Sequence, residues 1–389
     1  MPRPVRRVVL DESHPRRQII WILLSLAIAA GAFFAFFQGL LRVAPGWTVI
    51  PSEGRYAREI TLRYELGAGE DMPASEQKKL QRIFTLALDQ AGQALDASEI
   101  FEEPRNLAWL NAHPNVETEV SPILYHALET ALSAGRWVYL GPLYEMNVSL
   151  LASQSDAEAA QMDPRLGSEV ADFVDSVLPF LSSPDQIHLQ LLGGNTLRLF
   201  ISPDYLALGE AYGISRWIDF GWTRNAFVAD SVSDALLEAG ADRGIVTAQL
   251  AGTASQDTGG TASGNLAIRA LGGEAEIHLS LQGRENVDAV CASPAALLSL
   301  NAFQAGRCYA DGTLRTPWLS LGDGLDTAAV EAVLAASRQD GCAGMLLRLL
   351  PVLTGEKKEP ALSSGEETVW LLSDQTLDRY GDASLLREQ

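Results

Sequence analysis

Cysteine is scarce in this 389-residue chain: Cys291, Cys308 and Cys342 are all there is. Their spacings fit no zinc pattern, and there is no C-x-x-C, which argues against zinc fingers and thioredoxin-type exchange. Outside a cell, one disulfide with a thiol left over and three buried free thiols are both open. Histidine is nearly as sparse, with His14, His113, His126, His188 and His278 scattered along the chain. Each reads as a surface or internally satisfied side chain rather than a base or ligand. There is no P-loop, G-x-G-x-x-G, H-E-x-x-H or G-x-S-x-G, so the usual local signatures of phosphate loops, dinucleotide folds, zinc peptidases and serine hydrolases are missing. Positive charge is also short. The net charge is −20, and an acidic chain repels nucleic acid and anionic lipid. No nucleic-acid partner is expected.

The basic residues that do exist are unevenly placed. Arg3, Arg6, Arg7, Arg16 and Arg17 against Asp11 and Glu12 give residues 1–18 a charge of +3, which leaves the rest at −23. Residues 19–41 follow with no charge at all. At ~1.5 Å per residue that helix is ~35 Å long, enough to cross a hydrocarbon core of ~30 Å. The flanking arginines place residues 1–18 in the cytoplasm and the acidic body outside. The apolar run is longer than that of a cleaved signal peptide, which favours an uncleaved signal anchor in the cell membrane. Residues 42–56 contain Pro and Gly and read as a linker, and residues 57–389 as one extracytoplasmic domain.

Within that domain Glu59–Glu65 alternates as a strand, and Pro73–Leu95 carries one apolar helical face. Ser98–Asn111 reads as irregular. Ser121-Pro122 has the cap and first-turn proline of a helix start. Residues 156–177 read as helical, and Gln186–Leu192 with Thr196–Ile201 as a hairpin around Gly193-Gly194-Asn195. From Asp219, a turn feeds a helix whose Phe227, Val232, Leu236 and Leu237 share a helical period. Gly240 is placed to end it with a left-handed cap, and Ile245–Leu250 reads as a buried strand. Residues 251–264 form a Gly/Ser/Thr loop, and Asn265–Leu281 gives two strands around Gly272-Gly273. Thr327–Ser337 reads as a helix, Gly355–Glu367 as a polar loop and Thr368–Leu372 as a late strand. The expected fold is a single α/β (α+β) domain with mixed sheets.

Two places carry possible chemistry. A turn feeding a helix N-terminus suits a phosphate, which points to the Asp219 segment. Asp323 and Thr327 are four apart at an expected helix entrance, where a carboxylate and a hydroxyl on one face suit Mg2+. A helix cap explains the same pair.

Several segments, taken in order, resemble the ApbE-type FAD:protein FMN transferases. Ser98-Glu99-Ile100 with Leu110-Asn111 is similar to that family's S-E-[IL]…L-N segment, and Gly141-Pro142-Leu143 to the end of its D-P-T-V-G-P-L. Asp219, Gly221, Phe227 and Asp230 fall without a gap on its D-L-G-x-I-A-K-G-Y-A-x-D. Asp323-Gly-Leu-Asp-Thr327 resembles its metal-binding A-D-A-L-[AS]-T, and Asp311 and Pro317 its H-I-I-D-P-x-T-G-x-P. The resemblance implies a T-fold-like transferase fold outside the membrane, with FAD and Mg2+ bound and FMN passed to a Thr or Ser of a membrane redox protein while AMP leaves. It assigns Asp219, Gly221, Arg224, Asn225 and Cys308 to the flavin nucleotide, and Asp323 and Thr327 to the metal.

The departures are chemical. Asn225 stands where the family has Lys, Arg224 and Ala226 where it has Ala and Gly, and Cys308 where it has His. Trp137-Val138-Tyr139 replaces D-P-T, and Ala251-Gly252-Thr253 replaces a Gly-Gly-Asp. A fixed cation and a proton acceptor are lost together. The expectation is therefore a transferase relative with activity weakened or lost. The alternative is a non-catalytic flavin-binding or protein-interaction module built on the same fold.

Overall fold

Chain order and spatial order nearly coincide in the main sheet. A computed structural model describes residues 43–69, 71–250, 265–272, 277–280, 288–291, 296–363 and 365–388, together with Leu24, Ser25 and Ile28, which are helical. The predicted membrane span, 19–41, otherwise lies outside the described residues, as does the 251–264 loop. Among the described residues no helix is long and apolar enough to cross a membrane.

The chain divides into two units. The smaller contains residues up to Gly46 and Leu66–Lys78. Its turn is held by Glu76, which accepts a hydrogen bond from the Gly67 N–H at 2.8 Å. The larger contains Trp47–Glu65 and Lys79–Gln389.

Eight strands form the main sheet, in the order Gly46–Ile50, Ile60–Leu66, Gly244–Gln249, Leu266–Leu271, Ala296–Asn301, Ala332–Ser337, Glu367–Ser373 and Thr376–Gly381. From Ile60–Leu66 onward every pairing is antiparallel. This corrects the expected mixed sheet: the helices are not parallel crossovers, so the fold is α+β. The first strand lies within the predicted linker; its Trp47 and Val49 are exposed while Ile50 is buried.

One core cluster lies on the sheet, with Ile268, Leu297, Leu334, Trp370 and Leu372 among its members. The Arg224–Glu238 and Cys342–Leu353 helices pack against each other and against the Leu266–Leu271 strand. Ala332–Ser337 is buried at every position, so it is covered on both faces, as central strands are when helices lie over them. It was expected to be part of a helix. Its Ala-rich composition favours helix locally, and partners on both sides override that preference.

Most other expected elements are present. The Pro73–Ala94 helix, the Ile187–Gly193/Thr196–Ile201 hairpin and the Pro122–Ser133 helix all form, the last with Ser121 accepting from the Leu124 N–H. Ser98–Asn111 is not wholly irregular, because Leu107–Ala112 is helical. Gly240 has φ +82°. Its N–H reaches the Leu237 carbonyl while the next N–H, of Ala241, reaches that of Leu236, the paired pattern of a Schellman cap.

Candidate nucleotide site

The Asp219–Arg224 turn is placed by side chains from distant parts of the chain. Buried Asn111 accepts from the Trp217 and Ile218 N–H groups, both at 3.0 Å, and donates to the Ile218 carbonyl at 2.9 Å. The Asp219 N–H donates to the Val138 carbonyl at 2.9 Å. Gly141 lets the backbones meet: a Cβ there would lie 2.6 Å from the Arg216 carbonyl oxygen. Gly221 has φ +54°, and a Cβ on it would come within 2.8 Å of the Tyr144 ring. The turn therefore needs glycine for both its conformation and its neighbour. Asp219 Oδ1 then accepts the Gly221 N–H at 2.9 Å, closing the turn.

A cleft of about 350 Å³ opens beside it, walled by Arg55, Tyr56, Glu59, Asp96, Ser98, Tyr144, Arg216, Asp219, Gly221 and Arg224. That volume is at the small end of the ~300–1,000 Å³ usual for ligand sites. Three guanidiniums face three carboxylates across it. Arg224 lies 3.6 Å from Glu59 and over the Tyr56 ring at 5.1 Å. Arg216 lies 3.9 Å from Asp219 and 3.7 Å from Glu145. Arg55, more than half exposed, pairs with Glu99. Asp96 accepts from the Tyr56 hydroxyl at 2.9 Å and from the Ser98 hydroxyl at 2.5 Å. Burial, with the Asp96 carboxylate beside it, pushes the Tyr56 phenol up to about 12. Burial also raises Asp219 above the usual carboxylate range, against the pull of the Gly221 N–H and of Arg216 and Arg224.

A narrower apolar recess of about 160 Å³ shares Tyr144, Val148 and Gly221 with the cleft and reaches Trp222 and Pro317. The Trp222 and Trp318 rings lie 5.2 Å apart, and Asn147 donates to the Thr316 carbonyl at 3.0 Å. The Asp219 segment and the start of the Thr316–Thr327 segment therefore flank the same helix, Gly141–Ala152.

The predicted site residues divide. Asp219, Gly221 and Arg224 are on the cleft wall. Asn225 is turned away and donates to the Gln249 carbonyl at 2.7 Å. Cys308 is an exposed free thiol in the Arg307–Cys308/Leu314–Arg315 ribbon, and Cys342 is a buried free thiol. No bridge joins them, and burial pushes the Cys342 thiol well up. Asp323 and Thr327 do not open a helix. They belong to a tight turn in which the Ser320 and Leu325 backbones pair and Gly324 has φ +69°. Asp323 is exposed and accepts its own turn's Leu325 N–H at 3.0 Å. Thr327 accepts the Thr316 hydroxyl through its carbonyl. Among the described residues no three His, Cys, Asp or Glu side chains come together as a metal site, and of the expected pair only Asp323 offers a carboxylate, one already accepting an N–H within its own turn. Arg55, Tyr56, Glu59, Asp96 and Arg216 were not foreseen. Arg55, Tyr56, Glu59 and Asp96 lie far from the turn in the chain, and Arg216, three residues before Asp219, carries no pattern of its own.

No protein-family model matches the chain, and no curated protein matches it. Solved structures do. The flavin transferase ApbE from Vibrio cholerae superposes with a TM-score of 0.52 at 15% identity, over 88% of this chain and 98% of that one. The ApbE protein from Thermotoga maritima gives 0.57 at 12% identity, over 88% and 100%. The chain thus has the α+β fold of the ApbE flavin transferases.

Proposed function

We propose that this chain is a membrane-anchored, extracytoplasmic relative of the FAD:protein FMN transferases that holds a flavin nucleotide and has weakened or lost the transfer step. The observation that carries the reading is the cleft: the turn that resembles the family's nucleotide segment walls an open cavity lined by guanidiniums and tyrosines, in the transferase fold. Arg224 and Arg216 are the residues suited to meet a pyrophosphate, each by exchanging a carboxylate partner for a phosphate oxygen. Tyr56 and Tyr144 supply aromatic surface beside them.

The weakened transfer rests on two departures, at Asn225 and Cys308, and on the engagement of Asp323. Asn225 is neutral and bound to a strand carbonyl, Cys308 does not line the cleft, and the Asp323 carboxylate is engaged by its own turn. Transfer of FMN needs charge neutralisation at phosphorus and a proton acceptor for the attacking hydroxyl. If any transfer persists, the acceptor is a hydroxyl of a membrane redox protein held near the same bilayer.

The test is an incubation of the full chain in detergent with FAD, following retained flavin fluorescence together with AMP and FMN release. The expected outcome is retained FAD with little or no AMP, and loss of retention in Arg224→Met. Absence of flavin retention by the wild-type chain overturns the reading. Rapid AMP release at the expense of FAD overturns the claim of weakened transfer.

A further inference from the structure

Next to the turn that resembles the family's metal segment, the charge balance is closed by the protein itself. Asp326 is 4% exposed and Asp163 fully buried. The Arg165 guanidinium forks onto Asp326, one nitrogen on Oδ1 and the other on the main-chain carbonyl. Arg315 donates to Asp163 Oδ2 at 2.8 Å and lies 3.8 Å from Asp326 Oδ1. The second oxygen of Asp326 accepts the Thr316 N–H at 3.0 Å, and Tyr309 donates to Asp163 at 3.1 Å. The Arg165 N–H in turn donates to Asp163 Oδ1 at 2.9 Å. Two guanidiniums and two carboxylates make a neutral cluster, with every carboxylate oxygen engaged.

We infer that the Arg165–Arg315 pair fixes the Ser320–Thr327 turn in place of a divalent cation, so that this chain folds and binds its ligand independently of metal. The physical case has three parts. First, the fork of Arg165 binds a side-chain oxygen and a backbone oxygen of one residue together, which sets that residue's conformation as a metal ion sharing both oxygens would. Second, the two buried carboxylates of the cluster are already paired with Arg165 and Arg315, so a divalent ion brought to Asp323 or Thr327 would find the single charge of Asp323 and no second free carboxylate in the Ser320–Thr327 turn. Third, Asp323 is the one carboxylate of the turn in solvent, and its Oδ1 already accepts an N–H from Leu325. The inference deepens the proposed function by assigning that site a metal-free mode, but its first readout does not depend on flavin.

The experiment is thermal unfolding of the full chain in detergent, in EDTA and across a Mg2+ and Mn2+ titration. The expected curves coincide. Arg165→Met, which leaves buried Asp326 with Arg315 alone at 3.8 Å, is expected to lower the midpoint by about 5–10 °C with no recovery in Mg2+. Should that variant fail to fold, Arg165→Lys keeps the charge, removes the fork and is expected to lose a smaller part of the midpoint. A saturable rise in the wild-type midpoint with Mg2+ that Asp323→Ala abolishes overturns the inference. FAD retention is measured in the same two buffers. Equal retention supports the metal-free mode, and retention only with Mg2+ overturns it. If FAD is not retained in either buffer while the melts stay metal-blind, the proposed function falls and the guanidinium pair stands.

Discussion

The Asp219–Arg224 cleft and the Arg165–Arg315 cluster contain similar ingredients, arginines opposite aspartates and glutamates with a tyrosine alongside. They differ in how closely the arginines are matched to their carboxylates. In the cleft, Glu59 and Glu145 are about half exposed, Asp219 is buried, and the Arg224 and Arg216 pairs stand 3.6–3.9 Å apart. Such pairs contribute ~0–1 kcal/mol each and exchange partners readily. In the cluster, Asp163 and Asp326 are buried and their oxygens are all engaged. Removing one member there strands a charge in a low-dielectric interior. Loose pairing suits a place that receives a ligand, and tight pairing suits a place that holds a backbone.

The largest expected effect tests the tight region. Arg315→Met should cost about 3–5 kcal/mol in urea unfolding, because Asp163 loses its cation. Adding Asp163→Asn should restore part of that loss, and failure to do so would mean the cluster contributes packing rather than charge. The next effect concerns the helix that leaves the cleft. Burial pushes Asp230 up to about 6 from 3.8, opposed by Arg269 and by the Cys342 and Ala343 N–H groups. A carboxyl whose folded value is raised favours its protonated form in the native state. Its contribution is complete below about pH 4 and is lost as pH rises through about 6, an effect of about 2–3 kcal/mol. Stability measured from pH 4 to 7 should show that fall, and Asp230→Asn should flatten it.

A smaller effect is expected at the turn. Gly221→Ala forces a left-handed alanine against the Tyr144 ring and should cost about 2 kcal/mol, with flavin retention falling alongside. The smallest is Arg224→Met, whose stability change should stay under about 1 kcal/mol while flavin binding drops at least tenfold. Equal losses of stability from Arg224→Met and Arg315→Met would erase the distinction between the regions.

How much of this was legible in the sequence depends on how local the signal is. Gly240, Ser121 and the alternation around Tyr64 act within one turn or strand, and they read correctly. Cys342–Leu353 has a helical period but opens without a side-chain cap and holds Pro351 inside, so its ends carry no signal, and it passed unread as a helix. Ala332–Ser337 was misread for the opposite reason, since its local preference is clear and its neighbours in space outvote it. The same division holds at the site. Asp219 and Gly221 are findable because the turn is contiguous. Tyr56 and Asp96 reach the cleft only through folding, as Arg165 reaches Asp326, whereas Arg216 lies three residues before Asp219 and went unread although local.

Asp230 belongs to the same helix as Arg224, yet its two oxygens receive the first N–H groups of the Cys342–Leu353 helix, both at 2.9 Å. One helix is thereby the external end-stop of another. The position of the first helix therefore sets where the second begins. The joint lies beside the sheet's centre, where Cys342 touches the Ile268 and Leu297 carbonyls. The helix that begins at the cleft and the later half of the chain thus share one joint, and a substitution at Asp230 is felt in both.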